Sequence, residues 1–149
     1  MDNINSNNTE IGWLFDNTYS KLPAPLSVKQ NPVPVKSPKL VIINKDLSKK
    51  LDLNFSNVNE EDLSQIFSGN LLPAGSNSIA QAYAGHQFGH FTMLGDGRAV
   101  LMGEHLSKTK ERFDIQFKGS GRTPFSRSGD GRAALGPMLR EYIISEAMH

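Results

Sequence analysis

Phe113-Asp114-Ile115-Gln116-Phe117-Lys118 alternates apolar and polar residues without a break. Strand side chains point to opposite faces in turn, so Phe113, Ile115 and Phe117 share one face and Lys118 is placed on the other. The stretch predicts a half-covered strand and sets the reading of its flanks. Upstream, Ala99-Val100-Leu101-Met102 reads as a second strand, preceded by the turn signal Gly95-Asp96-Gly97. Residues 88–94 read as a further strand before that turn. Downstream lies a loop rich in Gly, Ser and Arg over residues 119–131. A helical pattern follows, with Leu135, Leu139, Tyr142 and Ile143 on one stripe and Pro137 in the first turn. Short-turn strands followed by a helix give an α+β class, a small antiparallel sheet with one helix beside it.

The N-terminal part reads differently. Residues 1–12 are polar and Asn-rich and are expected to be disordered. Residues 13–38 carry Trp13, Phe15 and Tyr19, then Pro23, Pro25, Pro32, Pro34 and Pro38. Prolines at that density forbid a long helix and favour extended chain. Residues 1–38 are thus expected to form an extension that wraps a unit built from residues 39–149. Leu40-Val41-Ile42-Ile43 reads as a buried strand, and Asp46 as the cap of a short helix through Leu51. Asn59-Glu60-Glu61-Asp62 starts a second helix, with acids in its first turn and Gly69 after its end. Ser78 is placed as the cap of a third helix over Ile79-Ala80-Gln81-Ala82-Tyr83.

Composition excludes several classes. The 149 residues are 38% hydrophobic and 21% charged with a formal net charge of +1, ordinary for a globular chain and without a general call for nucleic acid or an anionic membrane. No cysteine is present, so disulfides, thiolate metal sites and cysteine nucleophiles are out. The start has neither the basic nor the apolar region of a secretory signal, and no apolar run approaches the roughly 20 residues of a spanning helix. A cytoplasmic location is the expectation. The last residues, Ser145-Glu146-Ala147-Met148-His149, fall inside a helical pattern, which suggests a piece of a longer protein.

Candidate chemistry gathers around Lys118. Gly95-Asp96-Gly97 can present backbone N–H groups to an anion, although the residues alone equally describe a plain type I′ hairpin. A Lys at the end of a strand behind a glycine turn resembles the arrangement in which protein kinases hold ATP phosphates, with a Glu of the next helix steadying the Lys. Glu141 and Glu146 are the candidates for that Glu. The plain alternative is a solvated Lys and surface acids. The loop after Lys118, through Arg132, adds three arginines and four glycines, a plausible phosphate cradle without Walker A spacing. His86 and His90 would share a face if helical, but Gly85 and Gly89 interrupt a helix and no third metal ligand is evident, so buried hydrogen-bonding histidines are preferred.

The wording of the chain resembles the selenoprotein O (SelO) family. Gln81-Ala82-Tyr83-Ala84-Gly85-His86-Gln87-Phe88-Gly89 is similar to a motif of that family, as are Leu94-Gly95-Asp96-Gly97-Arg98 and the run from Lys118-Gly119 through Thr123-Pro124, Ser126-Arg127 and Gly129-Asp130-Gly131-Arg132-Ala133. Arg140-Glu141 and residues 145–149 resemble the next block. The resemblance implies a protein-kinase-like N-terminal lobe and transfer of AMP from ATP to Ser, Thr or Tyr hydroxyls of proteins, with Mg2+ or Mn2+. It implies that Gly95, Gly97 and Arg98 contact the nucleotide, that Lys118 grips phosphate while paired with Glu141, and that Asp130 and Gly131 complete the pocket. The proton-accepting Asp and the metal ligands are then expected beyond His149. The rival readings are a true kinase and a non-catalytic nucleotide-binding module.

Overall fold

In the computed structural model the described residues are 10–87, 89–93 and 95–149. The expected strand over residues 88–94 begins and ends on residues outside that set. Four strands form an antiparallel sheet in the order β1 (Ser27–Lys29), β2 (Ile79–Gln81), β5 (Ala99–Leu106), β6 (Arg112–Lys118). Strands β3 (Ala84–Gln87) and β4 (His90–Met93) pair separately. The helices are α1 (Lys45–Lys50), α2 (Glu60–Phe67) and α3 (Leu135–Met148). The class is α+β with a small antiparallel sheet, compatible with a kinase-like lobe.

Strand β5 is central, and its residues from Ala99 to His105 are all buried. That explains its unbroken apolar start, since a strand covered on both faces does not alternate. One edge pairs with β6, where Phe113, Ile115 and Phe117 are half-buried between exposed neighbours. The other edge is shared. Ile79 of β2 faces Leu101, and Phe15 bridges to His105. The Pro-rich segment is thereby stitched into the sheet at several points. Asp16 N donates to Glu104 O at 3.0 Å, and β1 adds the fourth strand through Val28 opposite Ala80.

Two buried polar side chains anchor this stitching. His105 is 1% exposed. Its Nδ1 accepts from Leu14 N at 3.1 Å, so the ring carries its proton on Nε2 and donates to Leu51 O at 2.7 Å. Glu104 accepts from Tyr19 N at 2.8 Å and from the Thr18 hydroxyl, and Arg112 lies 3.9 Å away. Beyond them, Ile11, Leu53, Val58, Leu63 and Ile66 form a core against which Trp13, Phe55 and Phe67 pack.

Several expectations need correction. Residues 1–9 lie outside the described set, but Ile11, expected in a disordered start, is fully buried. Leu40–Ile43 is not a strand: among the described residues it has no partner strand, Leu40 N bonds the Ser64 hydroxyl at 2.9 Å, and Val41 and Ile42 are exposed. The cap of α1 is Asn44, two residues before Asp46; its side chain accepts from Asp46 N and Leu47 N. Asn59 caps α2 as expected. Ser78 caps no helix. Residues 79–81 are β2, because β1 and β5 supply hydrogen-bonding edges on both sides. Helix α3 exists as expected, but none of its residues is buried, and Leu135 and Ile143 of the expected stripe are exposed.

Candidate functional site

The glycine turn is not a simple hairpin end. Ile79 pairs with Leu101, whereas Asp96 N donates to Gln81 O at 2.9 Å and Ala84 pairs with Met93. Paired residue numbers therefore sum to 180 before the turn and 177 after it. Three extra residues bulge from the descending side, closed by Ala99 N donating to Asp96 O at 3.2 Å. The β3–β4 hairpin projects beyond this bulge. Gly95 has φ +51°, and a Cβ there would strike Gln81 O and approach the Phe125 ring to 2.9 Å. Only glycine lets the two backbones and the ring meet.

The loop after Lys118 folds back onto the bulge. Gly121 N donates to Gly131 O at 3.2 Å, and Arg132 N is capped by the Asp130 carboxylate at 2.9 Å. Arg98 Nη1 donates to Arg132 O at 3.1 Å, and Arg132 Nη2 to Pro34 O at 3.1 Å. The result is a cleft of about 760 Å³, with Tyr83 and Gly95 to Arg98 on one wall and Phe125 to Arg132 on the other. The N–H groups of Gly97 and Arg98 have no protein acceptor among the described residues. With three arginines on the walls, this is chemistry suited to a phosphate chain.

The structure thus brings Gly95, Gly97, Arg98, Asp130 and Gly131 to one cleft. Lys118 and Glu141 stand beside it rather than on its wall. Lys118 Nζ lies 2.8 Å from both carboxylate oxygens of Glu141, and both side chains are about half exposed. Lys118 is opposite Ala99, and the next residue bonds the cleft's backbone, Gly119 N to Arg98 O at 2.8 Å. The other candidate, Glu146, is exposed.

Burial shapes one acid and one phenol of the cleft. It pushes the Asp96 carboxyl above its ordinary value, against the bonds from Gln81 N, Tyr83 and Gln116 that favour its charge. It also raises the Tyr83 phenol, with the adjacent Asp96 adding to the effect. The sequence carried Asp96, Tyr83, Thr123, Ser126 and Arg132 only inside longer motifs or the cradle loop, with no role for each of its own, and Phe125 was not singled out. The readable signal was the run Thr123-Pro124-Phe125-Ser126, a Thr-x-x-Ser pattern with proline at its second position that favours side-chain-to-backbone turns.

A metal is poorly served here. Among the described residues no group of three His, Asp or Glu could hold one. His86 and His90 lie on paired strands and are exposed rather than buried, and His86 packs beside Phe91 at 5.5 Å. Asp96 and Asp130 already hold backbone N–H groups. Nor is any helix among the described residues long and apolar enough to cross a membrane.

Comparison with known proteins identifies the family. Residues 14–149 match the family model described as protein adenylyltransferase SelO. The chain is 78% identical over 139 residues to a Pelagibacter ubique protein named protein nucleotidyltransferase YdiU, covering 93% of this chain and 29% of that protein. It is 66% identical over 140 residues to the protein of that name from Nitrosococcus oceani and 64% identical to that from Brevibacillus brevis, each covering 94% of this chain and 28% of the relative. The chain therefore spans somewhat under a third of the length of these relatives. A family match over nearly the whole chain shows that this chain belongs to the SelO family.

Proposed function

We propose that this chain is the nucleotide-gripping part of a protein adenylyltransferase, which moves AMP from ATP to a Ser, Thr or Tyr hydroxyl of another protein. The observation that carries the reading is the Lys118–Glu141 pair, 2.8 Å on both oxygens, beside a cleft walled by the glycine turn and an arginine-rich loop. An ammonium held by a carboxylate is a preorganised charge, and preorganised charge acts most strongly where charge develops during the reaction. The acceptor hydroxyl oxygen attacks the α-phosphorus, the bond from that phosphorus to the bridging oxygen breaks, and pyrophosphate leaves. Lys118, Arg98 and the backbone N–H groups of Gly97 and Arg98 orient the phosphates. Asp130 and Gly131 shape the loop around them. The group that takes the hydroxyl proton belongs, in this reading, to the remaining part of the family protein.

Mg2+ or Mn2+ would supply positive charge to the phosphates in such a reaction, but the residues of this cleft do not fit a metal. No step is assigned to one here. ATP and protein acceptors are the partners of this reading, and the cytosol, where ATP is available, its compartment. The test is the full-length protein incubated with ATP labelled at the α- or the γ-phosphorus. Label on protein from the α position alone is the expected result. Label from the γ position alone would make the enzyme a kinase.

A further inference from the structure

Two hydroxyls of the loop wall converge on a single atom of the glycine turn, the carbonyl oxygen of Gly97. Ser126 Oγ donates to it at 2.7 Å, and the Thr123 hydroxyl donates to it as well. Within their own loop the two hydroxyls act as acceptors. Thr123 Oγ1 accepts from Phe125 N at 3.2 Å, and Ser126 Oγ accepts from Thr123 N at 2.9 Å. Ser126 N closes the turn onto Thr123 O at 3.1 Å. A hydroxyl has one hydrogen to give, and both hydrogens leave the loop for the same carbonyl. Thr123 is 4% exposed, so water does not compete there.

Gly97 needs this hold. Its φ is +64°, and nothing lies within 4 Å of where a Cβ would stand. A glycine in open space can rotate its peptide plane at little cost. The Gly97 C=O and the Arg98 N–H belong to one trans peptide and point in opposite directions. Fixing the carbonyl against the loop therefore fixes the direction of the Arg98 N–H. It also holds the arginine-bearing loop at a set distance from the glycine turn.

We propose that Thr123 and Ser126 are positioning residues for the nucleotide, acting through the Gly97 carbonyl to set the width of the cleft and the direction of the Arg98 N–H. The proposal rests on the nucleotide-binding reading above. In the full-length protein, Thr123→Val combined with Ser126→Ala should raise KM for ATP on the order of tenfold, since small misplacements of binding groups are costly. The change in kcat should be smaller than the change in KM. Thr123→Ser keeps the donor and should restore KM to near the native value, which a role in packing alone would not do. If the double variant does not fold, half-buried Ser126→Ala alone should still raise KM about threefold or more, since one of the two bonds is lost. An unchanged KM in folded Ser126→Ala, or a Thr123→Ser protein as impaired as Thr123→Val, overturns the proposal. Lys118→Ala measured alongside separates the two readings. If it abolishes transfer while the hydroxyl variants keep native KM, only the latch fails; if it leaves transfer intact, the nucleotide site itself fails.

Discussion

Helices α2 and α3 invert the usual relation between length and anchorage. Helix α2 has eight residues, a side-chain cap from Asn59, and Leu63 and Ile66 buried in the core. Helix α3 has 14 residues, no side-chain cap and no buried residue. Isolated helices of about that length are marginal in water, so α3 must be held by what it touches. Tyr142 borders an apolar groove with Ile115 and Phe67, and Glu141 holds Lys118. An ion pair this exposed contributes about 1 kcal/mol at most. The core side of the molecule is therefore built for stability, and the cleft side for holding charges in place.

The largest effect should come from the core. Ile66→Ala deletes a fully buried side chain and should cost about 2–5 kcal/mol in urea unfolding. A cost below about 1 kcal/mol would break the comparison by showing that α2 is no better anchored than α3.

Lys118→Ala should do the reverse. In the full-length protein it should lower AMP transfer on the order of 10²-fold, while unfolding changes by no more than about 1 kcal/mol. Glu141→Ala should cost less, because the ammonium remains although it is no longer aimed. The double variant should be little worse than Lys118→Ala, since the pair acts as one unit. Independent, additive losses would separate the two residues.

The cleft also contains a group whose burial works against folding. The Asp96 carboxyl is pushed above its ordinary value, chiefly by burial. A raised carboxyl contributes stability that is present below its unfolded value and lost as pH rises through its folded one. Asp96→Asn should remove that loss. Relative to the native protein, the variant should gain stability between roughly pH 4 and pH 7 and show no gain at about pH 3. A variant destabilised equally at all pH values would mean that the bonds from Gln81 and Gln116, rather than the charge, decide this site.

The smallest effect should be at Ile143, 61% exposed on α3. Ile143→Ser should change stability by no more than about 0.5 kcal/mol. A loss near that of Ile66→Ala would show α3 to be anchored after all.

What the sequence determined by itself was local. The alternation of residues 113–118 reports which face of β6 is covered, because side-chain direction in a strand depends only on parity. Asn59 before three acids marks the start of α2, because a cap bonds N–H groups two and three residues away. The strings around Tyr83, Gly95, Lys118 and Asp130 were enough to indicate the family. Other features were decided only by the tertiary structure. Ile79–Gln81 is a strand because β1 and β5 lie on either side of it, and Leu40–Ile43 is not one because no strand among the described residues pairs with it. His105 is buried because Leu14 and Leu51, 91 and 54 positions away, supply a donor and an acceptor. The Thr123 and Ser126 hydroxyls find Gly97 across 26 and 29 residues. Strand edges and buried polar groups take their partners from wherever the chain returns, and that return is a property of the folded whole.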